Sequence, residues 1–138
     1  MRLGINLLTS GTSLNTIKKV PTVTIYQGET FDLFIQLMDA DQDGLRYVPD
    51  PAATVFVEIA RLPEASGTLS NVRQINDYSV RRNAVAAFAG DSSVWKLSLT
   101  ATETSKMMSS NIRVTVTEGS LKKIALLPQA IKIYRSEG

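Results

Sequence analysis

The sequence predicts an all-β protein: an antiparallel two-sheet β-sandwich of about seven or eight short strands, with one short helical turn and an extended N-terminal arm. Three observations predict it. From Pro21 onward apolar residues recur at every second position, the period of a strand with one buried face. Clusters of Gly, Pro, Asn and Asp interrupt these runs at the spacing of turns. The chain has 138 residues, room for one ordinary core and too few for two.

Residues 1–20 are rich in Ser, Thr, Asn and Gly, with apolar residues scattered and no sustained period, so they are expected to form an arm. Its apolar side chains, Leu3, Ile5, Leu7, Leu8, Leu14 and Ile17, would dock on a neighbour, with folding back on the chain's own domain the alternative, each worth about 1.5–3 kcal/mol if fully buried. Residues 21–138 form the sandwich. Val23 and Ile25 alternate within Thr22 to Tyr26, and after the turn at Gln27-Gly28-Glu29 the apolar residues Phe31, Leu33, Ile35 and Leu37 share one face. A loop from Asp39 to Asp50 leads to Thr54 to Leu62, where Val55, Val57 and Ile59 alternate. Further strands are expected at Arg73 to Val80 and Ala84 to Phe88, joined by Arg81-Arg82-Asn83. Trp95, Leu97 and Leu99 mark the next strand, and Thr102 to Met108 is the one helix-like piece. Ile112, Val114 and Val116 alternate up to the turn Glu118-Gly119-Ser120, followed by strands at Lys122 to Leu127 and Ala130 to Arg135. Pro128 cannot donate to a ladder and should mark a bulge, bend or edge. The alternating residues named here, with Ile131 and Ile133, are the expected core.

The chain contains no histidine and no cysteine. That excludes Cys/His zinc sites, thiolate nucleophiles, disulfides and Ser-His-Asp triads. Phosphate-loop, nucleophile-elbow and dinucleotide fingerprints are missing as well. Catalysis would have to rest on carboxylates such as Asp32 and Glu58, which the alternation places on solvent faces, so a non-enzymatic protein is expected. No apolar run reaches the roughly 18–20 residues of a membrane span, and polar Thr9 to Ser13 follow the short apolar patch of the N-terminus. The expectation is a soluble, unprocessed chain with no membrane partner. The net charge of +2 hides a polarised distribution: residues 1–21 carry +3, residues 22–60 carry −6 and residues 61–138 carry +5. Such asymmetry either steers copies together or solvates different loops.

Two constellations carry potential chemistry. Asp39-Ala40-Asp41-Gln42-Asp43-Gly44, with Asp50 at the twelfth position, matches the alternate-carboxylate pattern of a calcium loop, so Asp39, Asp41, Asp43 and Asp50 are candidate metal ligands. Arg46 at the eighth position and Asp in place of the final Glu depart from that pattern, and a solvated turn explains the same residues. No other cofactor is indicated. Arg81-Arg82, with Tyr78 and Phe88 nearby, could contact phosphate, but two cations are a small footprint beside committed nucleic-acid binders, and an exposed hairpin tip explains them.

The order of strands resembles a known family. Tyr26-Gln27-Gly28-Glu29-Thr30-Phe31-Asp32-Leu33, then the Asp/Gly loop with Pro49 and the Thr54 to Ile59 strand, resembles the opening of small immunoglobulin-like sandwich domains in tailed-bacteriophage virion proteins, nearest the N-terminal domain of phage upper-baseplate proteins. The run from Ser93 through Trp95 to Thr104 is similar to that family's strand ending in an L-T-x-x-[DE]-T turn, and Ile112 to Gly119 to its penultimate strand and hairpin. The resemblance covers about residues 20–135; the arm before Val20 is extra. It implies an immunoglobulin-like fold and a structural role in the virion, assembled in the host cytoplasm, in baseplate or tail, or as head decoration, fibre or collar. The implied partners are other virion structural proteins and copies of this chain. The competing expectation is a carbohydrate- or cell-surface-binding module, calcium-assisted through the Asp39 to Asp50 loop, with Tyr47 and Tyr78 as its exposed aromatics.

Overall fold

The computed structural model describes residues 2–8, 19–42, 45–61, 78–88 and 91–135. Among them the elements run β1 (Leu3–Leu8), β2 (Lys19–Val20), β3 (Val23–Tyr26), β4 (Phe31–Asp39), β5 (Thr54–Arg61), β6 (Tyr78–Asn83), β7 (Val85–Phe88), β8 (Asp91–Leu99), a helix α1 (Ala101–Lys106), β9 (Ser110–Glu118) and β10 (Leu121–Tyr134). They form two five-stranded sheets, β2-β1-β4-β8-β7 and β3-β10-β9-β5-β6. The all-β sandwich is as expected, with ten strands in place of seven or eight. Its pairing is antiparallel except where β3 runs parallel to β10, from Val23 opposite Ile131 to Tyr26 opposite Tyr134.

The period of two does what a half-buried strand requires. Leu33, Ile35 and Leu37 of β4 face Val55, Val57 and Ile59 of β5 and Ile112, Val114 and Val116 of β9 in one core from which water is excluded. Every residue expected in the core belongs to it, although Phe31, Trp95 and Ile133 are only partly buried against it. A second cluster sits on the outer face of the first sheet, where Leu8, Phe34 and Val94 are buried beside Phe88. The rings of Phe34 and Phe88 stack with centroids 6.4 Å apart.

The largest correction concerns the N-terminus. Leu3–Leu8 is no arm but a strand inside the first sheet, paired with β4 from Leu3 opposite Asp39 to Leu8 opposite Phe34. Leu3, Ile5 and Leu7 enter the main core and Leu8 the outer cluster, so these four side chains are consumed within their own domain. The alternation Leu3, Ile5, Leu7 is the cause; six residues were too short to register as a period ahead of a Ser/Thr-rich stretch. Leu14 and Ile17 lie outside the described residues.

Two further differences concern where strands begin and end. Arg81 and Arg82 belong to β6 and are not a hairpin tip; only Ala84 separates β6 in one sheet from β7 in the other, its N–H donating to the Val55 carbonyl at 2.8 Å. Lys122 to Leu127 and Ala130 to Tyr134 are one strand, with the bulge expected at Pro128 shifting the register between Leu127 and Ile131. The bulge sets Gln129 at φ 54, and the Asn111 side chain accepts its N–H at 2.8 Å. Most of the Arg73 to Val80 strand lies outside the described residues, whose part of it begins at Tyr78.

Helix α1 is too short to stand alone and is held by its ends. Thr100 and Glu103 form a reciprocal capping box, at 3.1 and 3.0 Å. The buried Thr104 hydroxyl donates to the Glu29 carbonyl at 2.6 Å and accepts from the Gly28 N–H at 3.1 Å, while Gln27 Nε2 donates to the Met107 carbonyl at 3.1 Å. Gly28, at φ 87, gives this β3–β4 turn a conformation that other residues rarely adopt.

Candidate interaction surface

Many of the polar residues singled out by the sequence bond to the main chain or to one another. Asp39 Oδ1 accepts the Asp41 N–H and Asp50 Oδ1 the Ala52 N–H, both at 2.9 Å, the acceptor role of aspartates in turns. Asp41 lies 3.9 Å from Arg2 Nε. The loop folds back on β4 through Asp39 N–H to Leu45 carbonyl and Tyr47 N–H to Leu37 carbonyl, whereas Asp50 is anchored away from it, its N–H donating to Glu118 Oε2 at 3.0 Å. Asp43 lies outside the described residues, and among those no three acidic groups gather as a metal site would require. Tyr47 is half-buried against the core, capped by Lys123 Nζ at 3.2 Å from its hydroxyl and 4.7 Å from its ring centre. The Tyr78 side chain lies outside the described residues.

Glu58 corrects another expectation. It does point away from the core, yet its side chain is only 4% exposed. Two cross-strand neighbours seal it: Arg81 Nε lies 3.2 Å from Oε2, and Arg113 Nη2 lies 2.7 Å from Oε1. The Arg81 guanidinium also lies 5.9 Å over the Phe56 ring. Asp32, accepting from Ser98 Oγ at 2.7 Å, lies on the outer face of the other sheet, so the two carboxylates stand on opposite sides of the sandwich. Arg82 is tied to Glu103, with Nη2 to Oε1 at 2.9 Å, and also donates to the Ser98 carbonyl. The hydrogen bond from Arg82 holds the Glu103 carboxyl below its ordinary range, and the same bond raises Arg82.

What the sequence reading missed lies on β10. Leu121 is 64% exposed, Ile124 58% and Leu126 42%. The signal was present: Lys122 to Leu127 carries apolar residues on both faces, with Ala125 in the core and Ile124 and Leu126 opposite. At the far end of the same outer face, Tyr26 and Tyr134 are exposed with ring centroids 5.7 Å apart.

The backbone of this segment is also available. Gly119-Ser120 is a two-residue turn with Gly119 at φ 60 as its first central residue, the II′ arrangement that suits a hairpin. Glu118 and Leu121, which flank it, exchange both main-chain hydrogen bonds, and the pattern alternates from there. Leu121, Lys123, Ala125 and Leu127 therefore aim their N–H and C=O groups at β9. Lys122, Ile124 and Leu126 aim theirs the other way, where no described residue pairs with them until β3 takes over that side at Ile131.

Fold and surface together define a two-sheet β-sandwich in which Glu58, Arg81, Arg82, Glu103 and Arg113 are paired with one another and the apolar edge of β10 is uncovered among the described residues. No protein-family model and no curated protein matches the chain.

Proposed function

We propose that this chain is a non-enzymatic structural protein whose work is contact, a repeated component of a tailed-phage virion that attaches through its strand edges to other virion proteins and to copies of itself. The observation that carries the reading is the contrast on its surface. The carboxylates and arginines that could have served chemistry are spent on turns and on one another, while the β10 edge keeps three large apolar side chains and a row of main-chain groups free of described partners. An exposed apolar edge is a liability that folded proteins ordinarily blunt, and a standing contact removes it. The strand order that resembles phage virion domains supplies the setting.

Immunogold labelling of purified particles with an antiserum to the chain tests the proposal. Regularly placed label on head, neck, tail or baseplate is the expected result. Recovery of the chain only in the soluble fraction after particles are pelleted would overturn it.

A further inference from the structure

We infer that the partner of the β10 edge is a second copy of this chain, joined by antiparallel pairing of the two Leu121–Leu127 segments about a twofold axis through Ile124. The inference deepens the proposed contact role by naming the edge and its occupant, and it rests on the reading that contact is what the protein does. The register follows from the hairpin. Only Lys122, Ile124 and Leu126 direct main-chain groups outward, so only these can form the hydrogen-bonded pairs of a new ladder. Matching faces requires residues of like parity to stand opposite one another.

Few twofold centres remain. One at Lys122 or Lys123 sets two ammonium groups directly across from each other, which is destabilising. One at Ala125 puts Pro128 opposite Lys122 and loses a donor where the ladder needs one. The centre at Ile124 places Ile124 opposite its copy, Lys122 opposite Leu126 and Leu121 opposite Leu127. It uses about six main-chain hydrogen bonds and covers all three exposed apolar residues with no like charges opposed. Lys123, opposite Ala125, is already held by Glu118 at 3.8 Å and by Tyr47. The incoming strand ends at its own Gly119-Ser120 turn beside Leu127, short of the stretch from Ile131 that β3 occupies. The second sheets of the two copies, five strands each, become one of ten strands, and an isologous contact of this kind closes on itself.

The chain's freedom from cysteine makes the register directly testable. Sedimentation equilibrium of the full chain should give twice the monomer mass at raised concentration, and Ile124→Lys, a change at a residue exposed in the monomer, should weaken association at least tenfold while leaving the melting temperature of dilute protein unchanged. On mild oxidation Ile124→Cys should form a covalent dimer, because on the axis the two Cα atoms fall within disulfide reach. Lys122→Cys, displaced from its own copy by four residues along the strand, should not. A monomer at every concentration overturns the inference, as does a dimer in which the two cysteine variants cross-link equally. Either result leaves the particle-labelling test of the virion role unaffected.

Discussion

Leu7→Ala separates a strand built into the core from an arm laid against a neighbour. Leu7 is 0% exposed, opposite Ile35 in the register of β1 with β4, and it contacts the core shared by both sheets. Removing its three outer carbons loses transfer free energy and leaves a cavity that a β-sheet centre closes poorly, for a cost of about 3–5 kcal/mol. With an unfolding entropy of about 2.1 cal/mol/K per residue, a chain of 138 residues loses about 10 °C of melting temperature for 3 kcal/mol. Melting should be followed by circular dichroism at micromolar protein or below, where association adds nothing to the apparent stability. In urea the same loss appears as a midpoint lowered by about 1–2 M at an unchanged slope. An exposed leucine in an arm costs no more than about 0.5 kcal/mol when truncated. A drop of less than about 2 °C would refute the placement of β1 in the core.

Three other outcomes follow from the polar contacts and the turn. Glu58→Ala leaves Arg81 and Arg113 without their shared carboxylate and should cost about 1–3 kcal/mol in urea unfolding, whereas Asp32→Ala, on an exposed serine contact, should cost under about 0.5 kcal/mol. The Glu103 carboxyl is lowered in the folded chain, chiefly by the Arg82 hydrogen bond, so its contribution is present above its ordinary value near 4.5 and lost as pH falls through the folded value. Glu103→Gln should therefore melt closer to the parent at acid pH than at neutral pH in a pH series of thermal melts. Gly119→Ala places a Cβ in open space but at φ 60, and should cost about 1 kcal/mol, with Gly119→Asn costing less in the same unfolding assay.

The core was legible because its cause is local: Val55, Val57 and Ile59, or Ile112, Val114 and Val116, announce a buried face by alternation alone. The capping residues were legible for the same reason, since Thr100 and Glu103 interact within one turn. What escaped the sequence depends on partners far away in the chain. Leu3, Ile5 and Leu7 read as scattered until β4 supplies a sheet to join. Glu58 reads as solvated until Arg81 and Arg113 arrive from either side, 23 and 55 positions along the chain. Phe34 and Val94, on the face that alternation assigns to water, are buried with Leu8 in a second cluster. For the candidate surface, Ile124 and Leu126 were visible as apolar residues on the wrong face of a strand, but only the sheet order reveals that nothing described pairs beyond them.

The single residue between β6 and β7 has a consequence for how large an assembly can grow. From Asn83 to Val85 the chain spans at most about 7 Å, less than the roughly 10 Å between stacked sheets, so the two layers are drawn together along this flank. The sandwich is thus pinched on one flank, while on the other the Leu121–Leu127 part of β10 has no partner among the described residues. The outer strands that meet at this corner, β6 and β7, are six and four residues long, and each offers a shorter border than the Leu121–Leu127 part of β10. Growth by sheet extension is thus more confined on this flank than along β10.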